Sequence, residues 1–383
     1  MSTLLSKTGR HGTPNERGMS LVEILVGILI GMIAIIVIFQ VLSVYEDRKR
    51  TAVGAGDAQT AGSIALYMLD RDLRLAGYGY SDAETMGCNV VGHDATTGAA
   101  LNFTLAPAII SKPNGAAGPD AIISLRGSSP LFVARKAFTS SADTEKIMQA
   151  GHRPGILRGD ILVVSPPTPG PCALVEVTDN TAGDKVTILH ETGSYTSDYS
   201  AGAVAARYNK DGGLGVAFTQ GFLYSLGPSP TRTVWSVTGN RLSYTDTLHA
   251  DQGAIDVADG VVNLKAEYGI DANDNNELEQ DEWTTTDPTT AAGWRAIRAI
   301  RVAMLMRSSQ WDPNVCSTNP QWTSGASGTP TLTNFVMRNV DGTNDSYSDC
   351  NGTNADPNNW RTYRYRVYET VIPLRNMIWG TAP

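Results

Sequence analysis

The chain has 383 residues and 40.9 kDa, with 30 lysines and arginines against 38 aspartates and glutamates, a net charge of −8 and a pI near 5.2. An acidic chain with 18% charged residues lacks the basic surface a general nucleic-acid binder needs for counterion release, and it is too poor in charge for charge-driven disorder. Its 42% apolar residues can fill one or two cores, and its 38 glycines call for many turns, without a collagen period or a repeat of about 20–50 residues.

The first predicted element is intensely apolar. Ile24–Phe39 reads ILVGILIGMIAIIVIF, sixteen residues without a charged or strongly polar side chain, and Val41, Leu42 and Val44 extend it past Gln40. About 20 mostly apolar residues span a bilayer, so Met19–Val44 is long enough. Lys7, Arg10 and Arg17 precede the run together with Glu16, and Glu46-Asp47-Arg48-Lys49-Arg50 follows it. A secretory signal peptide would have a shorter apolar core followed by a small-residue cleavage site, which is missing here. A plain signal anchor suits the basic residues before the run. It leaves Glu23 unexplained: a carboxylate in a membrane helix costs up to about 2.5–3.5 kcal/mol at the centre, less near the end, and normally has a partner.

Gly18-Met19-Ser20-Leu21-Val22-Glu23 resembles the cleavage site of type IV prepilins. The resemblance implies that a membrane peptidase cuts after Gly18 and methylates the new amino terminus on Met19. It also implies that Glu23, fifth in the mature chain, docks the subunit by pairing with the terminal amine of a neighbour. The physics agrees, because opposite charges in an apolar bundle attract strongly where water is absent. Met19 stands where the family usually has phenylalanine. Gly27 and Gly31 form G-x-x-x-G, which reads either as a surface for close helix packing or as ordinary glycines of a membrane helix.

Tyr45–Ala76 contains no proline. Val53, Ala58, Ala61, Ala65, Met68, Leu69, Leu73 and Ala76 recur at helical spacing, with charged residues such as Asp57, Asp70, Arg71 and Arg74 between them. Gly77 is placed to cap the end. The expectation is one helix over Met19–Ala76, about 58 residues or roughly 87 Å at 1.5 Å per residue. Gly54, Gly56 and Gly62 each cost about 1 kcal/mol relative to alanine, so the helix could bend there. Leu69–Tyr78 (LDRDLRLAGY), followed by Cys88, and Tyr365–Asn376 (YRVYETVIPLRN) resemble the helix end and last strand of the PilW family of minor pilins. That family is related to the larger J-type pseudopilins of type II secretion. Over about 90–250 the likeness is one of character only.

Beyond the helix the chain reads as strands. Candidates are Ala121–Leu125, Asp160–Val164, Ala173–Val177, Lys185–Leu189, Val216–Leu226 and Arg241–Tyr244, separated by turn signals such as Pro166-Pro167 and Gly227-Pro228. In Val261–Ile270, Val262, Leu264, Ala266, Tyr268 and Ile270 alternate with Asn263, Lys265, Glu267 and Gly269, which predicts a half-buried strand. The Asp271–Glu282 stretch then fits much of the EF-hand calcium spacing. Asp271, Asn273 and Asn275 would supply side-chain oxygens and Glu277 its carbonyl. Glu282, or Asp281 in its place, would be the bidentate ligand of a calcium site. Asn276 stands where glycine is usual and tolerates the left-handed conformation. The bland reading is a solvated hairpin loop. Arg298–Met306 and Thr362–Leu374 are further strands, and Ser308–Trp360, poor in aliphatics, reads as a long surface loop.

The fold class is therefore α+β: a pilin-like long N-terminal helix packed on an antiparallel β-sheet head, with β-rich insertions and long loops. The expected divisions are a leader over 1–18, a transmembrane or filament-core half-helix over 19–44, the periplasmic half of the same helix over 45–76, and a globular β-rich head over 77–383. Cys88, Cys172, Cys316 and Cys350 form no C-x-x-C, which weakens a zinc or redox reading. A head outside the cytoplasmic membrane permits disulfides. Of three pairings, Cys88–Cys172 with Cys316–Cys350 is preferred because the second would staple the long loop; free thiols are the alternative.

No P-loop, G-x-S-x-G or H-E-x-x-H is present, and the five histidines are scattered, so no catalysis is expected. The resemblance implies a minor pilin of the type IV pilus, held in the inner membrane by a single pass with its head in the periplasm. Its partners would be prepilin peptidase, the assembly platform, other minor pilins, the major pilin and a candidate tip adhesin. It would prime assembly and sit at the pilus tip, serving twitching motility, adhesion or DNA uptake. Two other readings stay open: a minor pseudopilin at the tip of a type II secretion pseudopilus, and a signal-anchored periplasmic binding module or enzyme, which would not be cleaved after Gly18.

Overall fold

The computed structural model describes residues 18–131, 135–141, 145–148, 155–179, 187–216, 218–325 and 328–379. Residues 1–17 of the expected leader, and the first two residues of the strand expected over Lys185–Leu189, lie outside them. The chain divides into two units, Met1–Val53 and Gly54–Pro383. A single helix, Leu21–Arg74, runs through the division. It starts and ends two residues inside the expected Met19–Ala76.

Over Ile24–Phe39, in the first unit, the helix is apolar on every side. Leu21–Glu46, 26 residues, is long and apolar enough to cross a membrane, and none of it is buried within the chain. A helix that is apolar all round has no face suited to water and belongs in a core or a bilayer.

In the second unit Ala65, Leu69, Leu73 and Ala76 are wholly buried, one stripe at intervals of three or four residues. The last turn tightens, with Leu75 N–H donating to Asp72 O and Ala76 N–H to Leu73 O. Gly77 adopts φ 83°, a conformation favourable to glycine. Its N–H leaves the helix for Leu125 O, and a Cβ there would lie 2.7 Å from Met377 Sδ.

Among the described residues, three larger sheets and two two-stranded ones build the head. The C-terminal sheet has the order Trp283–Thr284, Val261–Ile270, Ile297–Arg307, Tyr365–Pro373, all antiparallel. Its register aligns Tyr268 with Ile300 and Ile372. These three are fully buried in the same core cluster as the helix stripe. The middle sheet has the order Ala254–Asp259, Arg241–Asp246, Thr231–Thr238, Ala121–Arg126, Ala108–Ser111, also antiparallel. An eight-stranded sheet contains Ile161–Ser165 and Cys172–Glu176, buried at every residue. It departs from the expected antiparallel pattern once: Asn89–Asp94 pairs with Cys172–Glu176 in parallel.

Two sequence expectations need correction. Val261–Ile270 is not half-buried. One face, with Leu264, Ala266 and Tyr268, lies in the main core, but Asn263 and Glu267 on the other face are buried too. For Glu267 the reason is the second correction: Ser308–Trp360 is not all surface loop. It forms a hairpin, Gln321–Ser324 with Thr331–Asn334, whose Trp322 and Phe335 pack with Ala303 and Leu305 in a small core of their own. Glu267 is drawn under this cover, accepting hydrogen bonds from Ser324 Oγ, Gly325 N–H and Arg301 Nη1.

Candidate functional site

Gly18, Met19 and Ser20 precede the helix and are exposed. Glu23 lies in the first turn, exposed, and makes no ion pair among the described residues. It is the one charged residue between Gly18 and Tyr45. Gly27 and Gly31 sit four apart on one helix face, and a Cβ at either would meet nothing within 4 Å. The exposed side chains around them include Leu29 (60%), Ile36 (57%) and Phe39 (68%). Chemically, this surface offers apolar area, two smooth positions for a second helix, and one anion without a counter-charge.

The Asp271–Glu282 loop leaves the buried strand Val261–Ile270. The Asp271 carboxylate is fully buried and accepts from Asn275 N–H at 3.1 Å and Asn276 N–H at 3.1 Å. Asp274 and Asn276 adopt φ 57° and 65°, which these residue types tolerate. Asn273 Oδ1 accepts from Asn275 N–H, and Asn275 Oδ1 from Glu277 N–H. Both asparagines donate through Nδ2 to Glu279. Glu282 receives Ala272 N–H and Glu279 N–H, closing a capping box on the short helix Gln280–Glu282, which contains Asp281.

The cation facing this loop belongs to the protein. Arg298, 7% exposed, reaches Asp271 at 3.3 Å and Asp274 at 3.2 Å, and donates to the carbonyls of Arg295 and Met377. Among the described residues no three His, Cys, Asp or Glu side chains are gathered to hold a metal.

The four cysteines form two disulfides, Cys88–Cys172 with Cα atoms 5.9 Å apart and Cys316–Cys350 at 5.6 Å. The first ties the approach to Asn89–Asp94 onto its parallel partner Cys172–Glu176; the second closes the hairpin cover.

Several anchoring residues gave no sign of their partners in the sequence. Asp72, on the helix, accepts from Ser124 Oγ and Trp235 Nε1 of the middle sheet. Asp120 pairs with Lys265 at 3.2 Å. Burial raises its pKa, against the opposing pull of Lys265 and Ala266 N–H. Tyr268 accepts from Ile110 N–H and donates to Asp287. Burial pushes its hydroxyl pKa up, Ile110 N–H opposes, and Asp287 adds to the rise. Their partners lie far away in sequence and are not defined until the helix and the sheets are assembled.

The C-terminal part of the head also carries a recognisable pattern. Residues 233–376, less than half of the chain, match the family model described as type IV pilus-assembly protein W (PilW). This stretch contains the C-terminal sheet, the Asp271–Glu282 loop and the hairpin cover, and it connects the chain to type IV pilus assembly. No curated protein and no solved structure matches.

Proposed function

We propose that this chain is a minor pilin: a non-catalytic filament subunit, cleaved after Gly18, methylated on Met19, and docked through its N-terminal helix among other pilin subunits. The observation that carries the reading is Glu23. An apolar helix of 26 residues with no part buried in its own chain needs a bilayer or other helices around it. A lone carboxylate there needs a cation, because an unpaired charge in an apolar medium is costly. Cleavage after Gly18 would create such a cation, the amine of Met19, on each neighbouring subunit. The open faces at Gly27 and Gly31 suit close helix contact in the same bundle.

The match to a pilus-assembly family favours a pilus over a secretion pseudopilus. In the proposed pathway the subunit waits in the inner membrane with its head in the periplasm. It then primes assembly with other minor pilins and stays at the tip. The test is Glu23→Ala in cells. The variant is expected to be cleaved normally yet be missing from sheared filaments; mutant protein in filaments at wild-type level would refute docking through Glu23.

A further inference from the structure

The strand Tyr365–Pro373 forms an outer edge of the C-terminal sheet. It pairs with Ile297–Arg307 at nine successive positions without a register shift. Leu374 N–H donates to Arg298 O at one end, and Ser308 N–H donates to Arg364 O at the other. The even-numbered residues therefore hold the ladder, since hydrogen-bonded and non-hydrogen-bonded positions alternate in an antiparallel pair. Val367, Glu369 and Val371 turn their N–H and C=O groups outward, and among the described residues these groups have no hydrogen-bond partner. The edge is open to solvent: Glu369 is exposed, and Val371 is 47% exposed.

An open edge is a template for another strand, and folded proteins usually blunt it with a bulge, a lysine, a proline or short length. Those devices are missing from the middle of this strand. Its sequence YRVYETVIP has no lysine or glycine, its ladder has no bulge, and its one proline, Pro373, stands at the end. The edge Ala254–Asp259 of the middle sheet is built differently. It is six residues long, its pairing carries a register shift, and Arg241 holds its Asp256 and Asp259.

We infer that this edge receives an extended segment of another protein as an added strand, one with a basic side chain between two apolar ones at alternate positions. The outward peptide groups supply the ladder, and the side chains beside them supply the address. Val367 and Val371 flank Glu369 on one face of the sheet, and an added strand places a side chain directly opposite each. Glu369 accepts from Thr323 N–H at 3.0 Å and makes no ion pair among the described residues, so it calls for a lysine or arginine opposite. On the other face the incoming residues must be small, because Tyr368 there packs against the helix at Gly62. A second copy of this strand fits poorly. Full antiparallel overlap would set Glu369 against its own counterpart, and like charges directly opposite destabilise a sheet. The inference does not rest on the filament reading.

The test is fluorescence anisotropy of the labelled peptide TVTKTVT, whose pattern reads the same in both directions, with the full chain in detergent. Saturable binding is expected. Affinity should fall about tenfold for TVTETVT, and binding should vanish for TVTKTVT with every backbone amide N-methylated, which has no donors for the ladder. Val371→Pro removes an outward N–H that the fold does not use, and an edge strand tolerates proline at such a position. That variant should melt as the wild type does yet bind TVTKTVT about tenfold more weakly. Glu369→Gln keeps an acceptor for Thr323 N–H and should bring TVTKTVT and TVTETVT to nearly equal affinity. Absence of saturable binding, undiminished binding of the N-methylated peptide, or a folded Val371→Pro or Glu369→Gln protein that binds as the wild type does would each overturn the assignment. So would self-association of the chain that Val371→Pro abolishes, since the occupant would then be a second copy.

Discussion

Asp271 has two oxygens and three claims on them: the N–H groups of Asn275 and Asn276, and the Arg298 guanidinium. Both charged groups are almost fully withdrawn from water, so each depends on the other. Removing one member of such a pair leaves an uncompensated buried charge, at a cost of about 3–5 kcal/mol. Asp271→Ala should therefore lower stability by about that amount in urea unfolding of the full chain, since Asp274, 84% exposed, is a poor substitute for Arg298. A loss below about 1 kcal/mol would mean that the pair behaves as a surface contact. In the sequence Asp271 reads as the first oxygen of a calcium loop. Arg298 was not legible as its partner, because 27 residues separate them and only the antiparallel register, which sets Ile270 against Ile297, brings them together.

The helix was readable at the scale of the element, because it has no proline and its apolar stripe has a period of 3.6. Its glycines were not. Gly56 and Gly62 look equivalent as sequence, each a position where a helix could bend. In the structure a Cβ on Gly56 would meet nothing within 4 Å, whereas one on Gly62 would lie 2.6 Å from Tyr368 Cε2 of the strand Tyr365–Pro373. Gly56→Ala should stabilise the chain by about 0.5–1 kcal/mol through helix propensity alone. Gly62→Ala should lose more to overpacking, about 1–3 kcal/mol, than it gains. Denaturant midpoints of the two variants decide the point, and a shift of the same sign in both would contradict the packing. Strand Val261–Ile270 teaches a related lesson. Its alternation revealed the face on the core, but burial of Glu267 depends on a hairpin some 60 residues further on, and no local pattern reports that.

At the scale of the molecule, composition averages out two opposite requirements. One stretch, Leu21–Glu46, has no water-compatible face, while the second unit folds its own core with two disulfides and an ion-paired loop. The first was visible in the sequence because it is local, and so was the expectation of a β-rich head. The order of the strands was not, nor was the parallel pairing beside Cys172, because both arise from contacts distant in sequence. Both units make sense together if the helix is meant for other subunits and the head for the exterior. That claim turns on what happens at Gly18. Mass spectrometry of the amino-terminal peptide of the chain isolated from membranes tests it most directly. The account predicts a mature chain that begins with N-methylated Met19; a chain still joined through Gly18-Met19, or cut beyond the apolar run, would contradict it.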